Sequence, residues 1–214
     1  MMTTPNSCKP FANQPGVHEI KVPGLEAFEV LCTDSSIAGP GWIIIQQRIN
    51  GQQDFHQDWQ AYRDGFGLNK TSGDFFLGLQ RIHRLTYSQR YELFIYMQTF
   101  RGGTFHIRYD NFTVGSENDK FELQSLGAVD MVNVEDQLRY HEHHKFTTHD
   151  QDNDNWWRNC ATEIRSGGWW YHKSCTHCNL NGVYFKTETD AYQSIHWFDY
   201  KSLKMVQMLI RPIN

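Results

Sequence analysis

Five cysteines, Cys8, Cys32, Cys160, Cys175 and Cys178, set the strongest bound on how this 214-residue chain can fold. Two pairs with one left over is the natural arithmetic. A bridge from Cys8 to Cys32 would tie the chain start to HEIKVPGLEAFEVLC, which alternates apolar and polar residues and turns at Pro23-Gly24 as a hairpin. Cys160 can pair with either cysteine of CTHC, and a closed loop of about 15 residues is worth roughly 3 kcal/mol in the chain-entropy account. A zinc ribbon would need a second C-x-x-C or paired histidines, and a redox dithiol would need a βαβ setting. The chain offers neither.

With 39% hydrophobic and 14% aromatic side chains, the chain can bury one substantial core or two small ones and does not read as disordered. Its 20 basic and 24 acidic residues are scattered, and without a basic stripe no nucleic-acid partner is expected. Apolar runs such as Trp42 to Ile45 and Leu93 to Met97 fall far short of the roughly 20 residues that span a bilayer, so no membrane insertion is expected. MMTTPNSC has neither an apolar h-region nor a cleavage signature, leaving a cytosolic chain or a segment of a longer precursor. The glycosylation sequons at Asn69 and Asn111, taken with the cysteine spacing, favour a secreted, extracellular setting.

Strand and helix patterns occupy the chain up to about residue 125. GWIIIQQRING reads as a β-branched strand stopped at Asn50-Gly51. Phe55, Trp59, Tyr62 and Phe66 recur at helical spacing, with Gly65 and Gly67 as stops. FFLGLQRIHRLTYS reads as a second short helix, and YELFIYMQTF and GGTFHIRYDNFTV as strands joined at Arg101-Gly102-Gly103. Beyond about residue 125 polar turns, glycines and tryptophans take over until a last strand, LKMVQMLIRP. The plan is α+β, with a loop-rich region of the kind that carries binding sites on a rigid scaffold.

DQDNDNWWRNC, from Asp150 to Cys160, places three aspartates at alternate positions. It is not an EF-hand: the sixth residue is Asn155 and the twelfth Ala161, where glycine and glutamate are needed. Converging carboxylates suit calcium over zinc; the alternative is a solvated cluster of Asx turns. RYHEHHKF lacks the H-E-x-x-H order, and only His141 and His143 would share a face of an extended segment. No nucleophile elbow, phosphate loop or dinucleotide fingerprint is present, so no enzyme is expected.

Taken together, GPGWIIIQQRINGQQDFHQDWQAYRDGFG, GDFFLGLQRIHRLT, HDQDNDNWWRNCA, GGWWYHKSC, NLNGVYF and SLKMVQMLIRP resemble the fibrinogen C-terminal domain, the module shared by fibrinogen chains, ficolins, tachylectins and angiopoietins. The resemblance spans nearly the whole chain. It implies a leader or linker remnant at 1–7 and one domain at 8–214, comprising a disulfide-tied N-terminal hairpin part (8–45), a central antiparallel sheet with short helices (46–125) and a loop-rich calcium- and ligand-binding part (126–214). It also implies disulfides Cys8–Cys32 and Cys160–Cys175, the latter because three residues separate the family cysteine from its N-L-N-G. Cys178 would then be free or joined to another chain. The family's calcium loop maps onto side chains of Asp152 and Asp154 and backbone carbonyls of Trp156 and Arg158, with Asp150 outside the first shell.

In lectin members of that family a pocket beside the loop takes acetyl groups, with the methyl in an aromatic cup and backbone N–H groups on the carbonyl oxygen. Mapped here, the pocket comprises Ile164, Ser174, Cys175, Thr176, Tyr192 and Tyr200, with a cis peptide at Ser174–Cys175. This chain departs from the pattern in four ways. Thr176 replaces a usual histidine, Ile164 replaces an aromatic wall, one residue is inserted on each side of the double tryptophan, and the segment after Trp197 is short. The resemblance implies a secreted, calcium-stabilised, lectin-like module binding acetylated or other glycans in innate immune pattern recognition. The alternative is a protein-binding ligand or matrix module that engages an extracellular receptor in signalling or adhesion. Either would act as an oligomer through an upstream stalk.

Overall fold

Large apolar residues alternate along the central strands, and both faces of the resulting sheet are buried. The chain runs through β1 (Gly16–Ile20), β2 (Phe28–Ser35), β3 (Gly39–Arg48), α1 (Trp59–Asp64), β4 (Phe75–Phe76), α2 (Leu79–Ser88), β5 (Tyr91–Thr99) and β6 (Thr104–Tyr109). It continues through β7 (Thr113–Val114), β8 (Leu123–Ser125), β9 (Val129–Val132), α3 (Cys160–Ile164) and β10 (Leu203–Pro212). The computed structural model describes residues 4–67, 71–132 and 134–213. The main sheet is antiparallel in the order β1-β2-β3-β10-β5-β6-β9, with β4 added to β3, while β7 and β8 form a small separate ribbon. This is the α+β plan read from the sequence.

Period-two alternation assigns each strand residue to a face. Ile43 and Ile45 of β3, Leu93, Ile95 and Met97 of β5, and Val206, Met208 and Ile210 of β10 share one core with Leu79, Ile82 and Leu85 of α2. Trp42, Ile44, Phe94 and Leu209 point the other way and pack with Leu31 and Phe75. Each large side chain so buried contributes about 1.5–3 kcal/mol. The sheet is continuous along the chain: β3 runs across residue 45, and β9 and β10 lie beyond residue 125.

Two local expectations change. The aromatic spacing from Phe55 to Phe66 does not mark one helix, because α1 covers only Trp59–Asp64. Asp58 caps its start by accepting the Ala61 N–H at 2.8 Å, and Gly65, at φ +95°, ends it. Phe55 and Phe66 flank the helix and meet edge-on, ring centroids 4.9 Å apart, so their spacing records shared packing. The predicted second helix likewise splits. Phe75 and Phe76 pair with Gln47 and Gln46 as β4, and α2 starts only after Gly78. Gly78 has φ +108°, and a Cβ there would lie 2.7 Å from the Asp64 backbone, so only glycine makes this crossing without strain.

The region after β9 has little regular structure and is held instead by buried rings and polar side chains. Trp169, Trp170, Tyr171 and Trp197 are buried. Asn181 donates to the Gly168 carbonyl at 2.8 Å and accepts from Gln46 Nε2 at 3.2 Å, joining loop to sheet. Asn179 donates to Ser166 Oγ at 2.8 Å, and Arg48 donates to the Gly182 carbonyl at 2.7 Å. In an interior with few ladders, such side chains satisfy backbone groups that would otherwise be buried unpaired.

Candidate functional site

The aspartate loop is built from the inside outward. Asp150 Oδ1 accepts the Trp59 N–H at 2.9 Å and the Thr148 hydroxyl at 2.7 Å, so its role is to fasten the loop to the start of α1. Asp154 sits half-buried. Its two carboxylate oxygens accept the N–H groups of Trp156 (2.9 Å) and Cys160 (3.0 Å). Asp152 is exposed and, among the described residues, accepts only the Asp154 N–H, at 3.3 Å. Asn159 caps α3 through Thr162 N–H at 3.1 Å and also reaches the Thr148 carbonyl, closing the loop on itself.

These groups fit a calcium ion. Desolvation holds the Asp154 carboxyl above its ordinary range against the pull of the two amides, and the neighbouring Asp152 charge raises it further. A divalent cation would relieve that repulsion. Among the described residues neither carboxylate has an ion pair, since Arg158 turns to Glu163 at 3.3 Å. Nor does a described residue donate a hydrogen bond to the Trp156 or Arg158 carbonyl. The donors are all oxygen, the chemistry calcium prefers. Among the described residues no group of three or more His, Cys, Asp or Glu side chains is arranged to hold a metal, so any site here rests on two carboxylates and on carbonyls.

Cys160 and Cys175 are joined, as are Cys8 and Cys32. The first bridge carries the loop's order into a tight turn at His172–Cys175. There the His172 N–H donates to the Cys175 carbonyl at 3.0 Å, and the Cys175 N–H donates back to the His172 carbonyl at 2.8 Å. The Thr176 N–H donates to the Ser174 carbonyl at 3.0 Å. Both amides expected to receive an acetyl carbonyl are therefore committed within the turn. No cis peptide bond occurs among the described residues; Cys175 instead adopts φ +66°, a geometry the closed turn imposes.

The structure brings some of the expected pocket residues together. The Tyr192 hydroxyl donates to the Ser174 carbonyl at 3.1 Å, and the Tyr192 and Tyr200 rings meet edge-on at 4.9 Å, both partly exposed. Ile164 and Thr176 are buried, so neither presents a wall to a ligand. The Thr176 hydroxyl donates to the Cys178 carbonyl. Cys178 is a free, buried cysteine, and desolvation raises its thiol well above the ordinary value. Asn111 Nδ2 donates to Ser125 Oγ at 3.0 Å, whereas the Asn69 sequon falls outside the described residues.

Sequence reasoning gave His172 no role. Its Nδ1 accepts the Ser174 N–H at 3.0 Å, and its ring stacks on His177 at 4.8 Å. Desolvation, then the charges of His177, His144 and Lys173, lower its pKa to about 4. His141 is buried and neutral: Nδ1 faces the Trp170 carbonyl at 2.7 Å, and Nε2 faces the His177 and Cys178 amides at 3.3 Å. Both nitrogens are therefore occupied, which removes it as a metal ligand. RYHEHHKF, GGWWYHKSC, CTHC and NLNG all pointed to this region in the sequence, but no motif reveals which amides are free.

The geometry defines a disulfide-braced α+β domain in which an oxygen-donor loop lies beside a tight cysteine turn. Residues 9–213 match the family described as fibrinogen beta and gamma chains, C-terminal globular domain, and the chain belongs to that family. Mouse angiopoietin-related protein 7 is 40% identical over 195 residues, covering 88% of this chain and 56% of the relative. Human tenascin-R is 38% identical over 205 residues, covering 93% of this chain and 14% of the relative. The chain thus spans about half the length of the angiopoietin-related proteins it matches, and less of tenascin-R. The fibrinogen-like globe domain of human ANGPTL2 superposes with a TM-score of 0.89 at 31% identity, covering 97% of this chain and 99% of that one. A lamprey fibrin D-dimer complexed with the peptide Gly-His-Arg-Pro-amide gives 0.83 at 29% identity, covering 99% of this chain and 74% of that one. These relatives are secreted proteins, and an extracellular location matches the two disulfides. No helix among the described residues is long and apolar enough to cross a membrane.

Proposed function

We propose that the domain is a protein-binding ligand module of the angiopoietin-related kind, its C-terminal face braced by calcium. The observation that carries this reading is the commitment of the Cys175 and Thr176 amides to the His172 and Ser174 carbonyls. An acetyl carbonyl would have to break those bonds before it could be held, which weakens the lectin-like reading of innate immune glycan capture. The similarity to angiopoietin-related proteins supports the same choice. Asp152 and Asp154, with the Trp156 and Arg158 carbonyls, would hold the calcium ion. When bound, calcium supplies neutralisation of the paired carboxylates. Asp154 passes that order to α3 and the disulfide through the Cys160 amide.

The test compares two captures of the fluorescently tagged domain in calcium. Binding to cultured cells that is abolished by prior trypsin treatment, with no retention on N-acetylglucosamine resin, is the expected result. Calcium-dependent retention on the resin, with cell binding resistant to trypsin, would overturn it in favour of glycan recognition.

A further inference from the structure

We propose that a cleft between the β5–β6 hairpin tip and the Phe198–Leu203 segment docks one large apolar side chain of a partner polypeptide, flanked there by a basic and an acidic residue. This deepens, and rests on, the protein-binding reading above. Phe105, Trp197, Phe198 and Leu203 supply the apolar lining, and none of Ser174, Cys175, Thr176 or Tyr192 takes part. The cavity holds about 200 Å³, below the roughly 300–1,000 Å³ typical of small-molecule sites, so it suits a single side chain better than a free metabolite.

The wall is shaped deliberately. Trp197 is buried, but the next residue, Phe198, is 48% exposed. Asp199 and Tyr200 both adopt φ +54°, a left-handed conformation unusual for residues other than glycine and one that clusters at functional sites. The return is pinned. The Tyr200 carbonyl accepts the Ala191 N–H and the Ser194 hydroxyl, each at 3.1 Å, and Ser202 exchanges hydrogen bonds with Thr189 at 2.9 Å. Such a scaffold presents Phe198 to solvent without letting it fold back.

The mouth is charged in a complementary way. Arg101 at the hairpin tip pairs with Glu188 across the cleft at 2.7 Å, linking its two sides. Asp199 and Lys201 line the same opening and, among the described residues, have no ion pair. An incoming basic group would meet Asp199 and an acidic group Lys201, which selects an apolar residue flanked by both signs.

The experiment is an NMR titration of the calcium-loaded domain with acetyl-Lys-Phe-Glu-amide and acetyl-Glu-Phe-Lys-amide, with alanine-centred versions as controls. One phenylalanine peptide should saturate and bind about tenfold tighter than its alanine control. Phe198→Ala should lose about that factor, Lys201→Glu should weaken binding, and Tyr87→Phe, on α2 and outside the cleft lining, should change nothing. Equal binding of phenylalanine and alanine peptides, shifts centred on Ser174 and Tyr192, or no saturation would each overturn the assignment. If the peptides fail while trypsin-sensitive cell binding persists, the cleft falls and the protein-binding reading stands. If both fail, both fall.

Discussion

The Asp154 carboxylate accepts the Cys160 amide at 3.0 Å, so the loop that suits a metal is tied directly to the disulfide anchoring the loop-rich region. Asp152 has no comparable bond, and the two aspartates therefore do different work.

That difference is measurable. With calcium at about ten times a dissociation constant in the 10⁻⁴–10⁻³ M range of extracellular modules, binding adds roughly 1.4 kcal/mol, or about 3–6 °C in Tm. Asp152→Ala should remove this increment and leave Tm in chelator nearly unchanged. Asp154→Ala should remove it and also lower Tm in chelator, because two amides lose their acceptor at about 1–3 kcal/mol. Equal melting of wild-type protein in calcium and in chelator refutes the calcium assignment.

Cys178 should be silent in the folded protein. Its thiol is buried and held protonated by desolvation, so a bond to another chain is closed to it in this fold. Thiol titration with Ellman's reagent should find no reactive thiol in native protein and one after denaturation. A fast-reacting native thiol, or a reducible dimer, contradicts this.

Acid should destabilise the domain through buried neutral histidines. Desolvation lowers His172 and His196 to about 4, and His141 also lies well below the ordinary value. Below about pH 6.5 the unfolded chain binds protons that these residues refuse, so stability is full above that pH and falls as pH drops toward 4. Each histidine contributes a slope of up to about 1.4 kcal/mol per pH unit. Urea unfolding across pH 4.5–7.5 measures it, and His172→Asn should flatten the slope by one histidine's share. A pH-independent midpoint would disprove the account.

Asn181→Ala should be among the most damaging substitutions away from the apolar core. It leaves the buried Gly168 carbonyl without its donor and takes one of two acceptors from Gln46 Nε2, which keeps the Leu180 carbonyl at 2.7 Å, at a cost of about 1–3 kcal/mol. Chemical denaturation reads it directly, and a loss under 1 kcal/mol would show that water replaces the side chain.

The strands were legible because alternation is a local property: Trp42 to Ile45 already divides its residues between two faces. The two disulfides were legible through cysteine spacing and family resemblance. The state of the Cys175 and Thr176 amides was not, because it depends on how the His172–Cys175 turn closes, which no residue type dictates. Likewise Arg101 and Glu188 meet across a separation of 87 residues, so the cleft they bridge has no local signature. The aromatic run from Phe55 to Phe66 misled because helical spacing and convergence on one core look alike in sequence.

β10 lies in the middle of the sheet although it comes last in sequence among the described strands. During synthesis β1–β3 on one side and β5, β6 and β9 on the other must wait, each with an open edge, until Leu203–Pro212 has left the ribosome. A premature stop before that point would release two unpaired edges on a secretory chain. Such edges recruit one another between molecules. The two halves of the sheet are therefore joined only when Leu203–Pro212 is in place.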